Sequence, residues 1–391
     1  KMLIIDCYYC KSKNVQASSE HIIPNFMGCN YRVNNYMCIT CNNTFGNTFE
    51  KEVAKTFNFV RVLFNLLDSA KKEPPPEKGI LAEDGKLYDL FPDGNFQASK
   101  PECIENENDN FTYIYRSIPE TKKHLPKILN KDFKNLDISN SRTFLNFKFN
   151  FNFPPEFIPR LIAKSTLNII ARNMPDLLKI SEIKEISEFV NSGKNNIVNF
   201  FIFDLLNELP KKKLGILDNY ISVNYLKKES CLRTVFVFFG HFHYMFELPL
   251  KEKFNQSFSL VLHHDPISGK TIEKIYKRGK SLSAFKDNAS LIDKNEYLSI
   301  LKKRFIHLME LHRQHYNEKN IQNIINNSMN KALGTPDGRL LTTDDLLKLA
   351  NITSEKFVNW KYKIPLEKKL NIKPGDNVFN EDIEKKLNLN D

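Results

Sequence analysis

Three short stretches decide how the start of this chain folds. They read Cys7-Tyr8-Tyr9-Cys10, then Glu20-His21-Ile22-Ile23-Pro24, then Asn35-Tyr36-Met37-Cys38-Ile39-Thr40-Cys41-Asn42-Asn43. Each C-x-x-C pair can turn two sulfurs onto one ion, and two such pairs complete a closed tetrahedral zinc shell. Cys7, Cys10, Cys38 and Cys41 are therefore the expected ligands of a structural Zn²⁺. The chain has seven cysteines in 391 residues, an odd and sparse count unlike a secreted disulfide framework. Cys29, Cys103 and Cys231 stand alone and read as ordinary thiols. Between and beside the pairs lie a carboxylate, an imidazole and a carboxamide, a donor set for a hard divalent ion with a general base next to it.

Residues 7–53 resemble the HNH endonuclease family, the ββα-metal fold, in its variety braced by two C-x-x-C knuckles. The resemblance rests on the two cysteine pairs, Glu20-His21-Ile22-Ile23-Pro24, Gly28, Asn35, Asn42 and Phe45-Gly46. Carried over residue by residue, it implies that His21 is the general base and Glu20 a metal ligand. Asn42 would be the second ligand, at the start of the motif helix. Asn35 would fix the loop that orients the His21 ring. Asn43 takes the place of Asn42 if that helix starts one residue later. Cys29 stands where many relatives carry a second glycine, and Asn42 where some carry histidine; an amide oxygen favours Mg²⁺ or Mn²⁺ over softer metals.

That chemistry needs those residue types. Phosphodiester hydrolysis requires a water to be deprotonated and charge on the phosphate to be neutralised. A neutral imidazole can accept the proton, and a sparsely held divalent ion keeps positions open for the phosphate. Glu20 and His21 are neighbours, so a regular strand would send their side chains to opposite faces. For both to approach one phosphate, a bend or loop is expected there.

The length of 391 residues suits two to three domains. A hydrophobic fraction of 41% and a charged fraction of 26% are ordinary for a globular chain. The net charge of +11 and pI near 9.1 favour a polyanionic partner. Nucleic acid is expected, DNA in preference to RNA because HNH-like folds usually cut DNA. No apolar run reaches membrane-span length, and no signal-peptide pattern precedes the first cysteine pair, so no membrane partner and a cytoplasmic location are expected. An oligomer or a protein partner is left open.

Beyond Gly46, residues 47–70 show helical spacing of Phe49, Val53, Phe57, Val60, Phe64 and Leu67, ended by Lys71-Lys72-Glu73-Pro74-Pro75-Pro76. Strands are expected over residues 80–153, with Glu102 to Asn110 as an exposed loop and Phe144 to Phe153 as the core face of a strand. Pro159 to Ala171 predicts a helix, and residues 232–240 and 242–248 predict paired strands meeting near Gly240. His241, His243, His263 and His264 lack a carboxylate pattern and are not expected to form a metal site. Residues 296–333 predict one or two long helices, and 342–363 two short ones, the first capped by Thr342 or Thr343 and the second by Thr353 or Ser354, packed together or arranged as a helix-turn-helix-like reader.

The sequence thus predicts an α+β protein in three parts. These are a zinc-braced HNH nuclease domain over 1–70, a central α+β region over 71–285 and a helical region over 286–391. Two rivals remain: a zinc-dependent nucleic-acid-binding protein without catalysis, and an assembly protein in which the large region is primary.

Overall fold

The computed structural model describes residues 3–92, 94, 96–100, 102–105, 111–114, 147–148, 156–194, 199–202, 217–251, 254–276, 294–334 and 341–361. The chain divides into two compact units, Lys1–Arg304 and Phe305–Asp391. The fold is mixed α+β.

The N-terminal elements are short because metal-type knuckles and turns, rather than long hydrogen-bonded runs, shape the chain there. Strand β1 (Ile4–Ile5) pairs with β2 (Val15–Gln16), and β3 (Glu20–His21) with β4 (Arg32–Val33), both antiparallel. The turn between β3 and β4 passes through Gly28 at φ 82°. A Cβ there would sit 2.9 Å from the Leu67 carbonyl oxygen, so only glycine fits. Helix α1 (Ile39–Asn47) starts at Cys38, whose sulfur accepts the Cys41 N–H at 3.4 Å. The order β3, β4, α1 is the ββα arrangement.

The single helix expected over 47–70 is instead two, α2 (Phe49–Thr56) and α3 (Asn58–Leu63). The chain breaks at Phe57, whose fully buried ring stacks on Phe238 at 4.8 Å and meets Phe242 edge-on at 5.1 Å. Burying that ring outweighs local helix periodicity.

A small sheet comes next, in the order β10-β5-β6-β7 (Phe147–Lys148, Glu77–Ala82, Leu87–Leu90, Phe96–Ala98). The loop expected over Glu102 to Asn110 is corrected over its first half: Glu102–Glu105 forms strand β8, paired with β9 (Phe111–Ile114), because Cys103-Ile104 faces Thr112-Tyr113 in register. Residues 106–110, and Phe144, Phe149, Phe151 and Phe153, lie outside the described residues.

Helix α4 (Phe157–Asn173) and helix α5 (Ser181–Ser192) pack together, and Gly193 at φ 69° ends α5. Arg160 locks the pair by donating to the Val190 carbonyl at 2.8 and 3.1 Å. A six-stranded antiparallel sheet completes the unit. Its order is β11-β14-β13-β12-β15-β16, with β11 Asn199–Ile202, β12 Asn219–Leu226, β13 Cys231–Phe238, β14 Phe242–Pro249, β15 Phe258–His264 and β16 Thr271–Tyr276. The β13–β14 hairpin turns through Phe239 and Gly240, both at positive φ, as the sequence predicts. Helix α4 packs against β12 to β15 and against α2, β3 and β4, so it lies buried between the sheet and the N-terminal domain.

Helix α6 (Lys294–Leu333) is continuous. Residues 343–361 form one helix, α7 (Thr343–Lys361), rather than two short ones. Thr342 caps it, its hydroxyl accepting the Asp345 N–H at 3.2 Å while Asp345 accepts the Thr342 N–H at 3.0 Å. Thr353 and Ser354 do not break it, since no glycine or proline accompanies them.

Phe57→Ala should cost about 3–5 kcal/mol. Urea denaturation of the full chain measures it; a loss under about 1 kcal/mol would show that the Phe57–Phe238 contact does not hold the two layers together.

Candidate active site

The four thiols come together. Cys7 and Cys41 sulfurs are 3.8 Å apart, as are those of Cys10 and Cys38, and all four lie within 4.8 Å of one another. A tetrahedron with Zn–S of about 2.3 Å has sulfur–sulfur edges of about 3.8 Å. Backbone amides support the cluster, the Cys38 N–H reaching the Cys7 sulfur at 3.4 Å. The spacing and the all-thiol donor set fit a structural zinc ion. The folding cause is local: one knuckle precedes β2, and the other opens α1.

His21 ends β3 with its ring half-buried. Its Nε2 lies 2.9 Å from the Ser69 hydroxyl oxygen. Ser69 donates its own proton to Asn25 Oδ1, so its oxygen accepts from His21 Nε2–H. That leaves the lone pair on Nδ1, which makes no hydrogen bond among the described residues. Burial pushes the His21 imidazole down to about 4, the Arg32 and Lys164 charges adding to this and Asp68 opposing it. The ring is neutral at physiological pH, the state a base requires.

Glu20 turns elsewhere. Its carboxylate is 4% exposed and accepts from Lys164 Nζ at 2.6 Å. Lys164 is 2% exposed and also pairs with Glu50, so one ammonium serves two carboxylates. Burial and the Glu50 charge raise Glu20, against the pull of Lys164. For Lys164, burial works downward, but Glu50 and Glu20 outweigh it and hold the ammonium charged. Asn42 is half-buried in the first turns of α1, and its Nδ2 donates to the Ser18 hydroxyl at 2.6 Å. Asn43 is exposed. Asn35 is exposed too, at φ 70° in the turn after β4. The His21 ring is held by Ser69 rather than by a bond to Asn35 among the described residues. The structure thus gathers the four cysteines, but gives His21, Glu20 and Asn42 separate partners.

As the side chains stand, Glu20 and Asn42 do not fit a divalent ion: the Glu20 charge is matched by a buried ammonium, and the two share no hydrogen-bond partner among the described residues.

Sequence reasoning missed the residues that surround the Glu20-His21 dipeptide. Arg160, Lys164, Asn168 and Arg172 recur every four residues and form one stripe along α4. Arg160 stacks on Phe49 at 4.6 Å. Asn168 donates to the His21 carbonyl at 2.7 Å and accepts from Tyr36 OH. Arg172 donates to the Arg32 carbonyl at 2.7 Å and lies over the Tyr31 ring at 4.1 Å. A lysine in the apolar run Leu161-Ile162-Ala163-Lys164 was the visible signal. Ser69 and Asn25 carried none. Arg61 on α3 is buried, and its Nε has no hydrogen-bond partner among the described residues. The four histidines of the large sheet are bonded within it: His241 to the Phe239 carbonyl, His243 to that of Gly240, His263 to Asp218 at 2.5 Å, and His264 to Thr271.

Residues 7–58 match the family model for HNH endonuclease, which covers the two knuckles, the ββα elements and the start of α3. This stretch is an HNH endonuclease domain. No curated protein and no solved structure matches the chain. Among the described residues, no helix is long and apolar enough to cross a membrane.

Cys38→Ser should strip the zinc and unfold the N-terminal domain, because it removes a ligand even though the serine hydroxyl can still cap α1. Metal analysis of purified protein should give about one zinc per wild-type chain; well-folded protein without zinc would refute this.

Proposed function

We propose that the chain is an endonuclease that hydrolyses phosphodiester bonds of nucleic acid, with DNA as the favoured substrate. The observation that carries this reading is the His21 ring, fixed by Ser69 in a ββα domain of the HNH family. His21 Nδ1 accepts the proton of the attacking water, while the Ser69 hydroxyl keeps the ring from turning. The net charge of +11 supports a polyanionic substrate. The cofactor belonging to this reading is Mg²⁺ or Mn²⁺ at Glu20 and Asn42, and it requires Glu20 to be released from Lys164. The regions 71–285 and 286–391 would then govern where and when the domain cuts, in the cytoplasm, with an oligomer or protein partner compatible with that arrangement. A bacterial defence effector or a mobile-element nuclease has this layout, an argument from analogy.

One observation favours a second reading. The Lys164–Glu20 pair withdraws a ligand from the expected metal site, as in a zinc-dependent nucleic-acid-binding protein that no longer cuts.

Plasmid DNA incubated with the full chain and Mg²⁺ or Mn²⁺ separates the two. His21→Ala should lower cleavage about 10²- to 10⁴-fold while keeping zinc content and DNA binding. Cleavage equal to wild type would make His21 structural. Asn42→Ala should raise the Mg²⁺ needed, and Asn43→Ala much less; the reverse order would move the ligand to Asn43.

A further inference from the structure

Two carboxylates, Glu20 from β3 and Glu50 from α2, converge on one ammonium in the interior of the protein. Their combined charge is −2 against +1, so the pocket is better balanced by a divalent cation than by the lysine it holds. We propose that Lys164 occupies the cation position at Glu20, closing the metal site of the HNH domain, and that Glu50 is a second carboxylate of that site.

Three features support this. Lys164 is 2% exposed, so it cannot itself reach a nucleic-acid phosphate and is a positioning residue. It arrives from α4, well outside the 7–58 stretch that defines the domain, so the HNH fold does not supply it. An ammonium is also a costly choice on this buried helix, where a residue such as leucine would pack beside Ala163 and Leu167 without desolvating a charge. One helical turn on, Asn168 holds the His21 carbonyl, so any shift of α4 acts on both residues of the dipeptide.

The inference rests on reading Glu20 as a metal ligand, and its test is binding rather than cleavage. Zinc-loaded full-length chain is titrated with Mn²⁺ and free ion is read by electron paramagnetic resonance. Wild type should bind weakly. Lys164→Met should bind at least roughly tenfold tighter, and adding Glu20→Gln should remove the gain. The double variant Lys164→Met with Glu50→Gln keeps the wild-type net charge and one free carboxylate. It should keep part of the gain, and it decides the question if the single variant loses zinc or fails to fold. Lys55→Met, an exposed lysine paired with Glu52, should change nothing. Equal Mn²⁺ affinity in wild type and the Lys164 variants would overturn the proposal, as would a gain that survives Glu20→Gln. A gain in Mn²⁺ binding without DNA cleavage by any form would leave the closed site standing and defeat the endonuclease reading.

Discussion

A buried ammonium ties helix α4 to the HNH domain, beside the Asn168–His21 and Arg172–Arg32 hydrogen bonds. Lys164 carries its charge from α4 to the Phe45 ring and the β3 strand, where, among the described residues, Glu20 and Glu50 offset the loss of water. Removing one partner from such a group typically costs about 3–5 kcal/mol, whereas replacing the whole set by apolar residues is often neutral. The trio therefore fixes geometry more than it adds stability. It sets the rotation of α4 about its axis, and that rotation places Asn168 under His21 and Arg172 over Tyr31. Apolar contacts such as Phe57 on Phe238 add cohesion.

The HNH domain is consequently not separable from the rest of the larger unit. Its β3–β4 hairpin is braced on one side by Gly28, pressed against the Leu67 carbonyl and the His264 ring, and on the other by α4. Ser69, which holds the His21 ring, lies past the last residue of the family match. The family pattern defines the zinc cluster and the dipeptide; residues supplied by the rest of the chain define their environment.

This division explains what could be read from the residues alone. The cysteine pairs and the Glu-His-Ile-Ile-Pro run were legible because metal geometry imposes fixed short spacings. The β13–β14 hairpin was legible through its alternating aromatics and Gly240. The break at Phe57 was not, because it depends on the Phe238 ring, far outside any helical window. The continuous α7 was misread because Thr353 and Ser354 resemble caps, yet a cap signal without a glycine or proline before it does not end a helix. The destination of Glu20 was hidden for the reason that hid Phe57: its partner lies 144 residues downstream.

That separation also has a meaning in time. The ribosome completes the cysteine pairs and the dipeptide long before it reaches Lys164. At about 5–20 residues per second, the 114 positions from Glu50 to Lys164 take roughly 6–23 s. During that interval the nascent domain holds its thiols and both carboxylates without the helix that later covers them. The order of synthesis itself thus separates the two events: the emerging chain completes its four thiols first and gains its own lysine afterwards.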